Sequence, residues 1–388
     1  MLQLVFSDAQ YWENFLPLTY TRPVADMRVG ILTFRERWEK LLNKKESFFI
    51  TEEYLHAKYA QPKSGEALVI VPNFLPSEGV LNQIKNLKIG EALVYENEII
   101  ASRISSLEGF SLAHIENTID IEESLVFFKR PWDLFSYNDK AIRFDFDLVT
   151  KGRKSQPIPP TTFVKGNKED VFIEEGVDID FSFLNTKDGP VYIGKNAKIM
   201  ENVSIKGPVA ICDHVLVKFG TQISGASTFG PHCKICGEAG DVVMFGYSSK
   251  AHGGYLGNSV IGEWCNMGAG TNASNLKNNY SLIKMWSYKD QNYIDTHLQF
   301  CGTIMGDHGK TAINTRLNSG TVVGVAANIF KPEFPPHLVN NFSWGGNEED
   351  PKFFLEKAYE TAKVMMARRN ITLTEADKSI LKYIYENF

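Results

Sequence analysis

The run Lys250-Ala251-His252-Gly253-Gly254-Tyr255-Leu256-Gly257 continues as Asn258-Ser259-Val260-Ile261-Gly262-Glu263-Trp264-Cys265-Asn266-Met267-Gly268-Ala269-Gly270-Thr271. It sets an imidazole among glycines. Histidine changes charge near neutrality, so His252 suits the removal of a proton from an attacking group. An oxyanion that develops in such an attack needs donors. Other residues offer different chemistry. Cys233-Lys234-Ile235-Cys236 has the spacing of a metal pair, but zinc wants a second pair, and only His232 adjoins it. These thiols are therefore expected in or beside a packed core. Asp145 and Asp147 form a D-x-D, expected in a strand, whose functional reading is magnesium binding. Arg22, Arg28, Arg35 and Arg37 have two readings, phosphate contacts or a solvated, salt-bridged set.

The elements that carry these residues show in the spacing. Ile193, Ile199, Ile205, Ile211, Val217, Ile223, Phe229 and Ile235 recur every sixth residue. The register resumes at Tyr255, Ile261 and Met267, and again at Met305, Thr311, Leu317, Val323 and Ile329. Period six fits neither a helix nor a simple alternating strand. It fits a β-helix whose triangular coils turn one apolar residue inward per face, with glycine and small polar residues at the corners. One coil cannot bury its own face, so many must stack. Hexapeptide repeats of this kind resemble the left-handed parallel β-helix. Two segments interrupt the ladder, about 239–254 and Asn272 to Gly302, and extruded loops often carry sites. His308 is a second candidate imidazole, read as a corner residue. Tyr255, on a ladder position, has a structural reading beside any functional one.

The flanks read differently. Residues 1–165 lack the repeat and predict an α/β domain with a mostly parallel sheet. Its expected elements are a strand at 2–6, a helix at 31–42, a strand at 66–71, a helix at 81–88, and paired strands at 91–95 and 99–103. Ser155-Gln156-Pro157-Ile158-Pro159-Pro160 marks a linker. The β-helix is expected over 166–335 and a helical segment over 336–388. Asp350-Pro351 predicts a helix to about Asn370. Thr374-x-x-Asp377 predicts a capping box before a last helix. These helices are expected to cover the open end of the β-helix or a neighbouring subunit.

The chain has 388 residues, 41 basic and 46 acidic, for a net charge of −5, which is no basic footprint for nucleic acid. With 12% aromatic residues, most of the chain is expected to fold. No apolar run approaches the ~18 residues of a membrane span. Five cysteines, an odd number, make a disulfide framework unexpected. The start reads as a strand and not a signal peptide, so the expected compartment is the cytoplasm.

The stretch from His252 to Thr271 resembles, without a gap, the acetyltransferase motif of the GlmU family, K-A-x-H-x-x-Y-L-G-x-x-x-I-G-x-x-x-N-x-G-A-G-T, with one residue missing before the histidine. Thr21-Arg22-Pro23-Val24-Ala25 is similar to a shorter GlmU-like branch found in Bacteroidetes. Pro131-Trp132-Asp133-Leu134 resembles a stretch that precedes the β-helix in related bifunctional transferases. The resemblance implies acetyl transfer from acetyl-CoA to the amine of an amino-sugar phosphate, glucosamine-1-phosphate. An ammonium cannot attack a thioester, so His252 would be the general base. Tyr255 and Asn266 would position the sugar phosphate or the carbonyl. Asn275 and Lys277 or Lys284 would complete the site. Glu238 falls where the family carries an acid, and Lys218 would face the phosphate. The family's lysine two residues after the acid is Gly240 here, and its late Gly-Ser pair near Ala312-Ile313 is absent. A homotrimer with sites between subunits is implied, with the 272–302 loop reaching a neighbour.

Phe15-Leu16-Pro17-Leu18-Thr19 resembles the start of sugar-1-phosphate nucleotidyltransferases. There a glycine loop wraps a triphosphate through backbone N–H groups. Here Ser7-Asp8-Ala9-Gln10-Tyr11-Trp12-Glu13 stands in its place, with Asn14 and Val24 where arginine and lysine belong. Arg22 and Arg28 are the candidate phosphate contacts. The resemblance implies uridylyl transfer from UTP with Mg2+, hence a place in UDP-N-acetylglucosamine biosynthesis, and the lost loop argues against it. Two alternatives stand beside this reading: a nucleotidyltransferase with a structural β-helix, and a non-catalytic sugar-nucleotide-binding protein.

Overall fold

The computed structural model describes residues 2–107, 115–347 and 349–388. Strand Gln3–Ser7 lies between Phe48–Ile50 and Ala67–Ile70, parallel to both. The six-stranded sheet is mixed: three of its five pairings are parallel, as expected, and the two made by Glu98–Ile104 are antiparallel. The tight turn at Glu96-Asn97, both at positive φ, folds Glu98–Ile104 antiparallel to Glu91–Tyr95, and it is antiparallel to Ala67–Ile70 as well. The first helix is shorter than expected, Phe34–Leu41, because Leu32-Thr33 is a strand and Thr33 closes a capping box with Glu36. The second is Glu78–Asn86.

From Phe163–Lys165 to Trp344–Gly345 the chain stacks short parallel strands in register. Three faces repeat. The first runs through Ser204–Lys206, Gln222–Ser224 and the start of Glu238–Gly246. The second runs through Val209–Ile211 and Ser227–Phe229. The third holds nine strands, from Asp178–Ile179 to Trp344–Gly345. Ile193, Ile199, Ile205, Ile211, Val217, Ile223, Phe229 and Ile235 all point into one buried core, as do Met305, Leu317, Val323 and Ile329. Residues 239–254 do not leave this ladder. Ala239, Met244 and Lys250 take the inward positions, with corners shortened after Ile235 and Ala239. Leu256 follows Lys250, and the corner after it is also short, so Tyr255 points outward in register with Glu238.

Lys250 is the exception in the ladder. It pairs with Ile235 at an apolar position and is fully buried. Its Nζ donates to the carbonyls of Gly254 at 2.8 Å, His252 at 3.1 Å and Cys236 at 3.4 Å. Burial pulls its pKa down to about 8.

The second face is apolar on both sides because the N-terminal domain packs on it. Its outward column of Val243, Val260, Ile304 and Val322 joins the core of that domain. Polar ties fix the junction. Asn138 donates to Ala226 O at 2.7 Å, Thr228 to Gly30 O at 2.8 Å, and Arg28 Nε to Phe245 O at 3.1 Å. Asp145 lies on helix Asn138–Thr150 and not in a strand. Its carboxylate takes Arg37 Nε at 2.7 Å and the N–H groups of Ile31 and Leu32, all buried, so it is a structural anion and not a metal ligand.

The segment 272–302 is extruded, as expected. Its hairpin, Lys284–Ser287 with Asn292–Asp295, reaches the N-terminal domain through Tyr20–Tyr288 ring contact and Arg130–Asp290 at 3.1 Å. Helix Leu355–Ala367 starts later than expected. Asp350 does not cap it but pairs with Lys331 and accepts Asn347 N–H. The capping box of Thr374 and Asp377 is present and opens Glu375–Asn387. Neither helix covers an end of the solenoid. The first packs on Trp264 along its side, and the second joins the N-terminal core through Ile380, Leu381 and Ile384. Among the described residues no helix is long and apolar enough to cross a membrane.

Two outcomes are expected in equilibrium unfolding. Asp145→Ala strands a buried guanidinium and two N–H groups, and should cost roughly 3–5 kcal/mol. The second follows from Lys250. The unfolded chain keeps this proton up to about 10.5 and the folded chain releases it near 8. Between those values the unfolded state binds more protons, so stability rises with pH. Relative to Lys250→Met, the wild type should gain up to about 3 kcal/mol from pH 8 to 10.5. A pH-independent difference would refute the shift.

Candidate active site at a shortened corner

The corner between the third and first faces carries the imidazole. In other coils it is longer, as in Val217 to Gln222. One coil below His252 it shrinks to Cys236-Gly237-Glu238. His252 is exposed there. Its own loop is held from inside, because the buried Lys250 ammonium binds the carbonyls of His252 and Gly254. Gly254 has φ +120°, and a Cβ on it would lie 2.2 Å from Thr271 O, so no other residue fits.

Tyr255 is half-buried and folds along the first face. Its hydroxyl passes over Gly257, where a Cβ would meet it at 2.2 Å. Asn275 Nδ2 donates to that hydroxyl at 2.9 Å and to Asn258 Oδ1 at 2.7 Å. Burial raises the phenol's pKa, the bond from Asn275 opposes this, and Glu238 adds to the rise. Glu238, in register beneath Tyr255, is exposed and ends a cavity of about 310 Å³ that runs down the first face past Gln222 and Ser224. His252, Tyr255, Asn275 and Glu238 thus share one corner and its adjoining face.

The remaining candidates are more dispersed. Lys218 sits at the same corner one coil below Cys236. Lys277 donates to Leu282 O at 3.1 Å inside the extruded loop, and Lys284 is exposed on its hairpin, paired with Asp295. Asn266 is exposed on the third face, between Ser249 and Lys310, and not on the first. His308 is a corner residue at φ +60°, buried, with its pKa pushed down to about 3 chiefly by that burial. All five cysteines are free, and four are buried.

Three contributors were missed in the sequence. Gly257 makes room for the phenol, and Asn258 holds Asn275. Lys250 pins the loop. Only Lys250 left a signal, a lysine six residues before Leu256 in an apolar ladder.

In the N-terminal domain the loop after the first strand is packed. Tyr11, Trp12, Phe15 and Leu16 fill the core. Asp8 accepts Val24 N–H at 2.8 Å, and Trp12 Nε1 donates to Thr19 O at 3.0 Å. Arg22 is buried, paired with Asp307 and, at 3.4 Å, with Glu263 of the solenoid. Its Nη1 is buried without a partner. Arg28 bonds the carbonyls of Ile31 and Phe245 and pairs with Glu36 at 3.3 Å. The four arginines are salt-bridged as one reading expected, with Arg22, Arg28 and Arg37 buried and Arg35 half-buried. Arg22 and Arg28 line a cavity of about 620 Å³ between the two domains. Among the described residues no group of three or more His, Cys, Asp or Glu is placed to hold a metal, so the side chains offer no preformed magnesium site.

Residues 3–154 match the family described as sugar nucleotidyl transferase. A bifunctional sugar-1-phosphate nucleotidylyltransferase/acetyltransferase of Sulfurisphaera tokodaii is 24% identical over 307 residues, 68% of this chain and 73% of the relative. The bifunctional protein GlmU of Trichodesmium erythraeum is 29% identical over 135 residues, 34% of this chain and 24% of the relative. A hexapeptide transferase family protein from Anaplasma phagocytophilum is 13% identical, with 59% of this chain and 91% of that one covered and a TM-score of 0.16. Residues 3–154 thus match a sugar nucleotidyl transferase domain, and the chain as a whole is similar to bifunctional relatives that join such a domain to an acetyltransferase.

Proposed function

We propose that the shortened corner transfers an acetyl group from acetyl-CoA to the amine of an amino-sugar phosphate, glucosamine-1-phosphate. The observation that carries this is the exposed His252 beside a phenol whose hydroxyl is held by Asn275. His252 takes a proton from the attacking ammonium. The nitrogen then adds to the thioester carbonyl, and the thiolate leaves. The Tyr255 hydroxyl, accepting from Asn275, keeps its own proton free to donate to an oxygen of acceptor or carbonyl. Glu238 suits the sugar hydroxyls or the ammonium. Lys218, Lys277 and Lys284 are the nearby cations for phosphate. A homotrimer belongs to this reading. The exposed Phe163, Phe181, Phe183 and Phe219 along the first face and its corner suit contact with a second copy. Asn266, on the third face, would then serve a site across the boundary.

The second activity, uridylyl transfer from UTP, falls to the N-terminal domain. Its packed loop leaves the cavity with Arg22 and Arg28 as the place for phosphates. Among the described residues no cluster of three or more His, Cys, Asp or Glu is placed for Mg2+, so the metal would arrive bound to the nucleotide's phosphates.

Free-thiol release from acetyl-CoA with glucosamine-1-phosphate tests the acetyl half. His252→Ala should lose about 10²-fold or more. Gly257→Ala should lose at least about tenfold, because it displaces the phenol. A wild type silent with this and other amino-sugar phosphates would overturn the assignment. For the other half, pyrophosphate release from UTP, N-acetylglucosamine-1-phosphate and magnesium is expected. Its absence would leave the domain a binding role.

A further inference from the structure

Beside helix Leu355–Ala367 the third face forms a cavity of about 300 Å³. Lys234 and Lys310 rise from its outward column, with Ser249 and Asn266 between them. Arg368 and Arg369 close it from the end of the helix. No carboxylate lines it, and among the described residues none of the four cations has an ion pair. Lys310 Nζ donates to His308 O at 2.7 Å, and Arg369 to Arg368 O at 3.4 Å. Arg368 is exposed and Lys234, Lys310 and Arg369 are partly buried, so four cations gather around one cavity with no carboxylate in its lining.

Helix ends favour cations at the carbonyl terminus, which explains Arg368 and Arg369 by themselves. It does not explain Lys234 and Lys310, which sit on solenoid strands and face them. Their mutual repulsion is visible: burial lowers the pKa of Lys234, and Arg369 and Arg368 lower it further. An anion relieves both costs. The opposite wall is apolar and planar. Tyr247 and Trp264 stack at 4.3 Å with 11° between planes, and both line the cavity.

The geometry points to a second binding site, on the third face, for an organic diphosphate: its phosphates on Lys234, Lys310, Arg368 and Arg369, its organic part against Tyr247 and Trp264. Nucleoside diphosphates and the nucleotide end of coenzyme A share this chemistry. The cavity contains neither His252 nor Tyr255, but Asn266, which the proposed acetyl transfer uses across a subunit boundary, lines it, so coenzyme A as the tightest probe would make it that donor's own subsite and a nucleoside diphosphate would make it a separate one.

Calorimetric titration of the full chain with ADP, UDP, coenzyme A and inorganic pyrophosphate tests it. At least one organic diphosphate should bind more tightly than pyrophosphate, and more weakly as salt rises. Arg368→Ala/Arg369→Ala should abolish that event or weaken it at least tenfold, with the circular dichroism spectrum unchanged. Lys234→Gln should weaken it in the same direction from the other wall. The tightest probe identifies the source. The proposal fails if no probe binds, if pyrophosphate binds as well as the nucleotides, or if both variants keep the wild-type affinity and stoichiometry.

Discussion

A parallel ladder tolerates almost no freedom along its axis. Each short strand hydrogen-bonds to the strand one coil below and one coil above, so inward residues must stay in register from coil to coil. The stack from Ile173 through Ile193, Ile211 and Phe229 to Met244 shows how strictly this holds. What can vary is the length of the corners. Residues are removed between Ile235 and Ala239, and about thirty are added after Ala273, while the rungs on either side remain paired. The candidate catalytic corner is the subtractive case and the hairpin the additive one. Both kinds of change are paid for locally, in glycine at Gly254 and in the buried ammonium of Lys250.

The same constraint explains how the two halves are joined. A rigid, flat second face with an apolar outward column needs cover, and the N-terminal domain supplies it. Along the edge of that contact the charges become specific. Asp307 accepts from Thr21 at 2.7 Å and pairs with Arg22, while its other oxygen accepts Glu263 N–H at 2.8 Å. One carboxylate thus ties the nucleotidyl-transferase-like domain to two coils of the solenoid. Burial and the neighbouring Asp307 push the pKa of Glu263 upward, and Arg22 resists it.

The repeat was legible because inward positions must be apolar and most coils keep a six-residue step from one face to the next. The errors arose where the step changes. Tyr255 falls on the sixfold register by number, yet the short corner after Leu256 turns it outward. Residues 239–254 looked like an interruption because Lys250 stands where Ile or Val is expected. Long-range partners are invisible to local pattern: Asp145 reads as half of a D-x-D until Arg37 is placed beside it, and Asp350 reads as a cap until Lys331 draws it away. The Thr374–Asp377 box was legible because its partners are three residues apart. Of the candidate site, His252, Tyr255, Asn275 and Glu238 meet on the corner, whereas Asn266 sits on another face, a separation that linear spacing does not encode.

The stacked pair of Tyr247 and Trp264 belongs to a longer column of rings, from His214 through His232 to His308. Tyr247 lines the cavity between the domains as well as the cavity on the third face. One ring is therefore a common wall of two compartments. A ligand that changes its position on one side changes the shape offered on the other, and by reciprocity the effect on free energy is the same in both directions. Any ligand that moved this ring would therefore make occupancy of either chamber felt in the other without contact between their contents.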